Sequence, residues 1–208
     1  MSARGPYAKG VAKRLEILDA ALRVIAEHGY SGATVKQLAD EVGLSQNGLL
    51  HHFGSKDALL VEVLRHRDEA DSFLLTGTKA TPVWGNLPNG LEELRNLMVA
   101  AVRHNAAVPG LVHLFAQFTA DASEASHPAH NFFADRYETA RSFGERAIEA
   151  LQERGQVRTD VNPRQATVML FALIDGLQNQ WMYKDSIDMG EHIGAFLDTL
   201  GPSSDSRT

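Results

Sequence analysis

Thr34 and Gly43 restrict the folding of this 208-residue chain more than any other pair, because each reads as a helix boundary. Within residues 33–56, ATVKQLADEVGLSQNGLLHHFGSK, Thr34 is followed three positions later by Gln37, the spacing of a capping box. The threonine hydroxyl takes the Gln37 backbone N–H, and the Gln37 side chain reaches back. Val35, Leu38, Ala39 and Val42 then share one helix face. Gly43 falls where a helix ends in a left-handed residue, a conformation glycine adopts at little cost. Leu44 points inward, and Ser45 caps a second short helix carrying Gln46, Asn47, Leu49, Leu50, His51, His52 and Phe53. Two helices joined by a glycine turn of this length form a helix-turn-helix, whose second helix is shaped to enter a DNA major groove.

A net charge of −6 is unusual for a nucleic-acid binder, but residues 1–60 carry +1 and the remainder −7. Phosphate attraction acts over a Debye length of roughly 8 Å at physiological salt, so an acidic body does not forbid a DNA-binding end. The chain has no cysteine, which excludes disulfides, thiolate metal sites and a cysteine nucleophile. It shows neither an export-type apolar leader nor an apolar run of about twenty residues. A cytoplasmic chain without membrane contact or cofactor is expected.

The remaining pattern is helical throughout. Residues 1–10 read as a flexible basic arm, 11–54 as the helix-turn-helix domain, 55–76 as a connecting helix, 77–200 as a helical body and 201–208 as a flexible tail. Val11, Leu15, Leu18, Leu22 and Ile25 step by four, three, four and three, the spacing of a core face on the first helix. Gly29 ends that helix, and Tyr30 is expected to pack over a three-helix core. A fourth helix starts after a Ser55 cap and carries Leu59, Leu60, Val63, Leu64, Ala70, Phe73 and Leu74. Residues 77–88, GTKATPVWGNLP, have linker composition. Asn89 with Glu92 opens the next helix, Pro109 and Pro128 occupy first-turn positions, Asn162–Pro163 opens an apolar helix, and Asp188 with Glu191 opens the last. The fold class is all-α, with about nine helices.

The string TVKQLADEVGLSQNGLLHHFGSKDALL closely resembles the TetR family of bacterial one-component transcriptional regulators, with the match covering roughly residues 11–65. The resemblance rests on the threonine cap, Ala39 four positions before Gly43, Ser45, and the Phe53-x-Ser55-Lys56 ending. It implies a homodimeric repressor: an N-terminal helix-turn-helix on double-stranded operator DNA, and a helical C-terminal domain that dimerises and binds a small molecule. The chain departs from the family at Asn47, Gly48 and Leu50, where a small residue, Ser or Thr, and an aromatic are usual. Glycine inside a recognition helix costs about 1 kcal/mol relative to alanine.

Gln46, Asn47 and His51 occupy outward positions of the second short helix and are the candidates for base contact, since an Asn or Gln amide can bridge adenine N6 and N7. Thr34 and Ser45 are caps first, and a phosphate contact is a further role open to an exposed helix N-terminus. Lys56 places a cation in the first turn of a helix, where it opposes the macrodipole and suits a nearby phosphate. The resemblance implies a backbone contact for His52. Arg4, Lys9, Lys13 and Arg14 are candidate phosphate or minor-groove contacts from the arm.

In the body, the resemblance implies a cavity for a largely apolar effector, with Met98, Val102, Leu111, His113, Leu114, Phe115, Phe118, Phe133, Tyr137, Phe171 and Ile174 as candidate liners. Residues 167–174 are apolar around most of the helix circumference, so two sides need covering, one of them by a partner subunit, the alternative being a deeper core of a monomer. Leu173, Gly176, Leu177, Trp181, Ile193, Phe196, Leu197 and Leu200 are the corresponding interface candidates. One alternative is a metal-responsive regulator or metal-binding helical enzyme, with His127 and His130 on one face and His113 or Asp121 nearby. A hydrolase lacks its G-x-S-x-G signature here. An architectural DNA binder without an effector is the remaining alternative.

Overall fold

A computed structural model of the chain describes residues 6–76 and 86–202, and of residues 6–9, 31 and 70–76 the backbone alone. The described residues form nine helices: α1 (Pro6–Gly32), α2 (Val35–Glu41), α3 (Gln46–Phe53), α4 (Lys56–Thr76), α5 (Leu91–Ala106), α6 (Pro109–Asp121), α7 (His130–Glu153), α8 (Pro163–Trp181) and α9 (Met189–Asp198). Arg4, the Lys9 side chain, most of the expected linker, the tail beyond residue 202, and the side chains of Ala70, Phe73 and Leu74 lie outside the described residues. Among the described residues no helix is long and apolar enough to cross a membrane.

The chain divides into two compact units. The first runs through Arg67 and also takes in Val108–Phe132; the second comprises Asp68–Ala107 and Phe133 onward. The sequence pattern places α6 in a body of residues 77–200; here it groups with the helix-turn-helix unit, packed on α1. Gly110 makes this possible, because a Cβ there would run into the carbonyl oxygen of Ile25 on α1. Leu111, Val112, Leu114 and Phe118 of α6 are buried in this unit. Phe118 meets the Tyr30 ring at 6.4 Å and the His127 ring edge-on at 5.2 Å. Tyr30 thus reaches α6, beyond the three-helix core expected for it.

Helix α1 begins at Pro6, inside the expected arm, and its core face keeps Leu18 and Ile25 of the expected spacing but not Val11 and Leu15. Ile17, Leu18, Ala20, Ala21, Val24 and Ile25 are buried, whereas Val11 and Leu15 are 45% and 47% exposed. At about 100° per residue the buried stripe centres on Ile17, Ala21 and Val24, with Leu15 and Leu22 at its flank. The alanines allow close packing but carry little hydrophobic signal. Gly29, with φ 71, kinks the helix near its end, where a stop was expected.

The second unit has a continuous core in which Leu94, Met98 and Val102 of α5 join Ile148 and Leu151 of α7, Leu170 and Leu177 of α8, and Ile193 and Leu197 of α9. Its helix starts follow the sequence with small shifts. Asn162 and Asp188 accept from Gln165 and Glu191 N–H at 3.0 and 3.1 Å. At α5 the N-cap is Gly90, and Asn89 bonds to Glu93, not to Glu92. Pro109 is the first residue of α6, but Pro128 lies two positions before α7. The α1–α6 contact gives a direct test. Gly110→Ala should lower stability by about 1–3 kcal/mol through overpacking, read as a fall in the denaturant midpoint with an unchanged slope.

Candidate nucleic-acid interface

The two short helices are closed at each end by identifiable hydrogen bonds. Gln37 N–H donates to Thr34 Oγ1 at 3.2 Å, and Thr34 N–H donates to Gln37 Oε1 at 3.3 Å, completing the capping box. At the other end of α2, Gly43 (φ 64) donates to the Asp40 carbonyl and Leu44 donates to that of Ala39, at 3.2 and 2.9 Å. This pair of bonds is a Schellman motif. Ser45 Oγ accepts from Gly48 N–H at 3.0 Å and starts α3. A Cβ on Gly48 would lie 3.2 Å from that hydroxyl, so the glycine leaves the cap undisturbed. Leu49 and Phe53 face the core, Leu50 and His52 are half-buried, and Gln46, Asn47 and His51 are exposed, Asn47 and His51 away from the core face and Gln46 in the first turn.

The basic residues of α1 hold this pair from behind. Lys13 Nζ donates to the Val42 carbonyl at 3.0 Å and pairs with Glu16 at 2.8 Å. Arg14 donates to the His52 carbonyl at 2.6 Å, lies over the Phe53 ring at 4.3 Å, and pairs with Glu62 at 3.0 Å. Adjacent side chains on one helix therefore cap the carbonyl ends of α2 and α3, where a cation favours the helix dipole. Both residues thus belong to α1 and have a structural role not expected from the sequence. No local pattern announces the role, because it depends on partners tens of residues away in sequence.

Lys56 also has an internal explanation. Its ammonium sits 5.2 Å from the Tyr30 ring centroid, and Asp57 shares the first turn of α4. Cation–π attraction therefore accounts for a cation that the macrodipole alone would disfavour, so its position no longer requires a phosphate. Burial, followed by the charges of Asp121 and Asp57, pushes the Tyr30 phenol above its ordinary pKa.

The candidate effector liners divide between the two units. Leu114 and Phe118 are fully buried in the first and Leu111 nearly so, which corrects their placement on a cavity wall; His113 and Phe115 are half-buried on the same helix. Met98 belongs to the core of the second unit. Val102 borders a surface depression of about 280 Å³ whose rim includes Arg103, Trp181, Asp188 and Gly190. Arg103 and Asp188 pair there at 2.8 Å, and the bond holds the Asp188 carboxyl below its ordinary pKa. Phe133 is buried, while Tyr137, Phe171 and Ile174 are half-buried. Tyr137 donates its hydroxyl to Asp175 Oδ2 at 2.7 Å, a residue the sequence offered no reason to select.

Of the interface candidates, Ile193 and Leu197 are 0% exposed, and Leu177 and Leu200 are also buried in the unit's own core. They are corrected to core residues, since side chains sealed within one chain have no surface to offer another. Leu173, Gly176, Trp181 and Phe196 are half-buried, and the space beside Gly176 is open. The exposed apolar side chains of α8 are instead Val168 and Met169, 46% and 57% exposed, with exposed Ala172 one turn on. His127 and His130 are engaged locally. His127 Nδ1 accepts from Ala129 N–H at 3.1 Å, and His130 Nδ1 lies 2.9 Å from the Ala122 carbonyl.

Comparison with known proteins agrees with this architecture. Residues 17–63 match the family described as bacterial regulatory proteins, tetR family, and residues 90–202 match the BetI-type transcriptional repressor C-terminal family. The HTH-type transcriptional repressor AcnR of Corynebacterium efficiens is 47% identical over 57 residues, covering 27% of this chain and only 30% of its own length. The HTH-type transcriptional regulator TtgR of Pseudomonas putida is 23% identical over 89% of this chain and 88% of its own. A TetR transcription regulator from Haloarcula marismortui has a similar fold, with TM-score 0.73 and 21% identity over 92% of this chain and 100% of its own. A helix-turn-helix unit followed by a second helical unit, matched in both parts, makes this chain a member of the TetR family.

The clamp on α3 is open to a direct measurement. Arg14→Ala should cost about 1–3 kcal/mol, because it removes a charge-assisted bond to a carbonyl and a cation–π contact together. Thermal unfolding reads the loss. Lys13→Ala, which removes a carbonyl bond and an ion pair but no ring contact, should cost less.

Proposed function

We propose that the protein is a transcriptional repressor that acts as a homodimer on a near-palindromic operator and is released by a small, largely apolar effector. The observation that carries this reading is the exposure of Gln46, Asn47 and His51 on an α3 whose structural work is done elsewhere. Gln46 and Asn47 offer paired donor and acceptor atoms to base edges, His51 extends the same surface, and half-buried Leu50 suits a thymine methyl. Thr34 and Ser45, at exposed helix starts, together with His52 and Lys56, contact phosphates. In a two-fold dimer, two such helices enter successive major grooves about 34 Å apart.

The dimer forms through the outer face of α8, where Val168, Met169 and Ala172 present apolar surface and Gly176 leaves room for close approach. Leu173, Trp181 and Phe196 border it. Effector binding in the second unit favours one conformer, and only its differential affinity for the two conformers shifts DNA affinity. Phe133, Tyr137, Phe171 and Ile174 are the residues retained as liners.

Selection of bound duplexes from a random pool tests the reading, and a symmetric consensus is expected. Asn47→Ala should lower affinity for that consensus by about 1–3 kcal/mol with little change on random DNA. Lys56→Ala should weaken binding to all duplexes and flatten the salt dependence. Equal losses on both DNAs for Asn47→Ala would remove that residue from base recognition. Met169→Glu should convert the dimer to monomer in sedimentation at micromolar concentration, and an unchanged sedimentation coefficient would place the interface elsewhere.

A further inference from the structure

Asp175 stands apart in α8, PRQATVMLFALIDGLQNQW, as the one acid of that helix. It is partly buried, and its carboxylate accepts a single side-chain hydrogen bond, from Tyr137 Oη to Oδ2 at 2.7 Å. A carboxylate has acceptor capacity for about four hydrogen bonds, so most of it is unused. Among the described residues Asp175 makes no ion pair, and the charge of nearby Arg136 is directed to an ion pair with Asp68. Burial is the main influence on Asp175 and raises its carboxyl pKa, with the Tyr137 bond and Arg136 only partly opposing it. Burial likewise pushes the Tyr137 phenol well above its ordinary value, so it remains a donor. One turn earlier on each helix stands a phenylalanine, Phe133 before Tyr137 and Phe171 before Asp175.

We propose that Asp175 is the recognition group for the effector, and that the effector is an arylalkyl amine. Its protonated nitrogen donates N–H to the free carboxylate oxygen, Tyr137 fixes the carboxylate in place, and the aryl body lies toward Phe133 and Phe171. This rests on the effector-controlled reading above and adds a ligand class to it. The chemistry requires both charge and a donor. A neutral alcohol lacks the charge, and a quaternary ammonium lacks the N–H.

Calorimetric titration and thermal shift of the full chain, with 2-phenylethylamine, its N,N,N-trimethyl derivative and 2-phenylethanol, test the proposal. The primary amine should bind roughly tenfold or more tighter than either analogue. Asp175→Asn keeps an acceptor for Tyr137 and removes the buried charge. It should melt no lower than the parent chain and lose roughly tenfold or more in amine affinity. Failure of 2-phenylethylamine to bind, equal binding of either analogue, or unchanged amine affinity in Asp175→Asn each overturns the inference. Equal binding of 2-phenylethanol would still leave an effector site standing. Absence of any selected duplex would instead defeat the repressor reading, whatever the amine does.

Discussion

The interaction on which the reading surface depends is the hold of Arg14 on the end of α3. Helices of seven and eight residues, the lengths of α2 and α3, do not persist alone in water, because their nucleation cost is spread over too few hydrogen bonds. They need tertiary support, and α1 supplies it through neighbouring cations that bond to the Val42 and His52 carbonyls. Arg14 adds contact with Phe53 and Glu62, so one guanidinium joins α1, α3 and α4. The α2–α3 contact and the turn bonds between them add to this support. Gln46, Asn47 and His51 stay exposed on the helix so held.

What was legible in the sequence was mostly local. A cap joins residues three positions apart, and so the Thr34–Gln37, Ser45–Gly48, Asn162–Gln165 and Asp188–Glu191 bonds could be read before any coordinates. The roles of Lys13 and Arg14 were not legible, because their partners Val42 and His52 are brought close only by the fold. Basic residues near an N-terminus look the same whether they face phosphate or a helix end. The α1 face was only partly legible, for a different reason. Ala20 and Ala21 are buried, yet hydrophobic spacing gives weight to larger neighbours such as Leu15, which stays exposed.

Helix α6 shows how one small residue can change the division of a chain. Pro109 correctly marked its start, but nothing in its apolar periodicity distinguishes packing on α1 from packing on the body. Gly110, lying against Ile25, makes that distinction. Once α6 is seated there, Leu114 and Phe118 are ordinary core, and aromatic character alone was a poor guide to a ligand cavity. The physical asymmetry is general: small residues permit close approach between helices, while large ones merely fill the space that results.

Helix α8 carries more than one demand on its circumference, which explains why its sequence looked apolar nearly all round. Leu170 and Leu177 face the unit's own core, whereas Val168, Met169 and Ala172 remain exposed. Asp175 turns to Tyr137 of α7. A helix with this much apolar circumference has little left for ordinary solvated charge, so a lone acid on it calls for a specific explanation. If the partner and the ligand both act on this helix, their effects are linked. An effector that favours one placement of α8 must alter dimer affinity by the same factor that dimerisation alters effector affinity. On the proposed roles, that reciprocity would tie Asp175 to Met169 energetically without requiring the two side chains to touch.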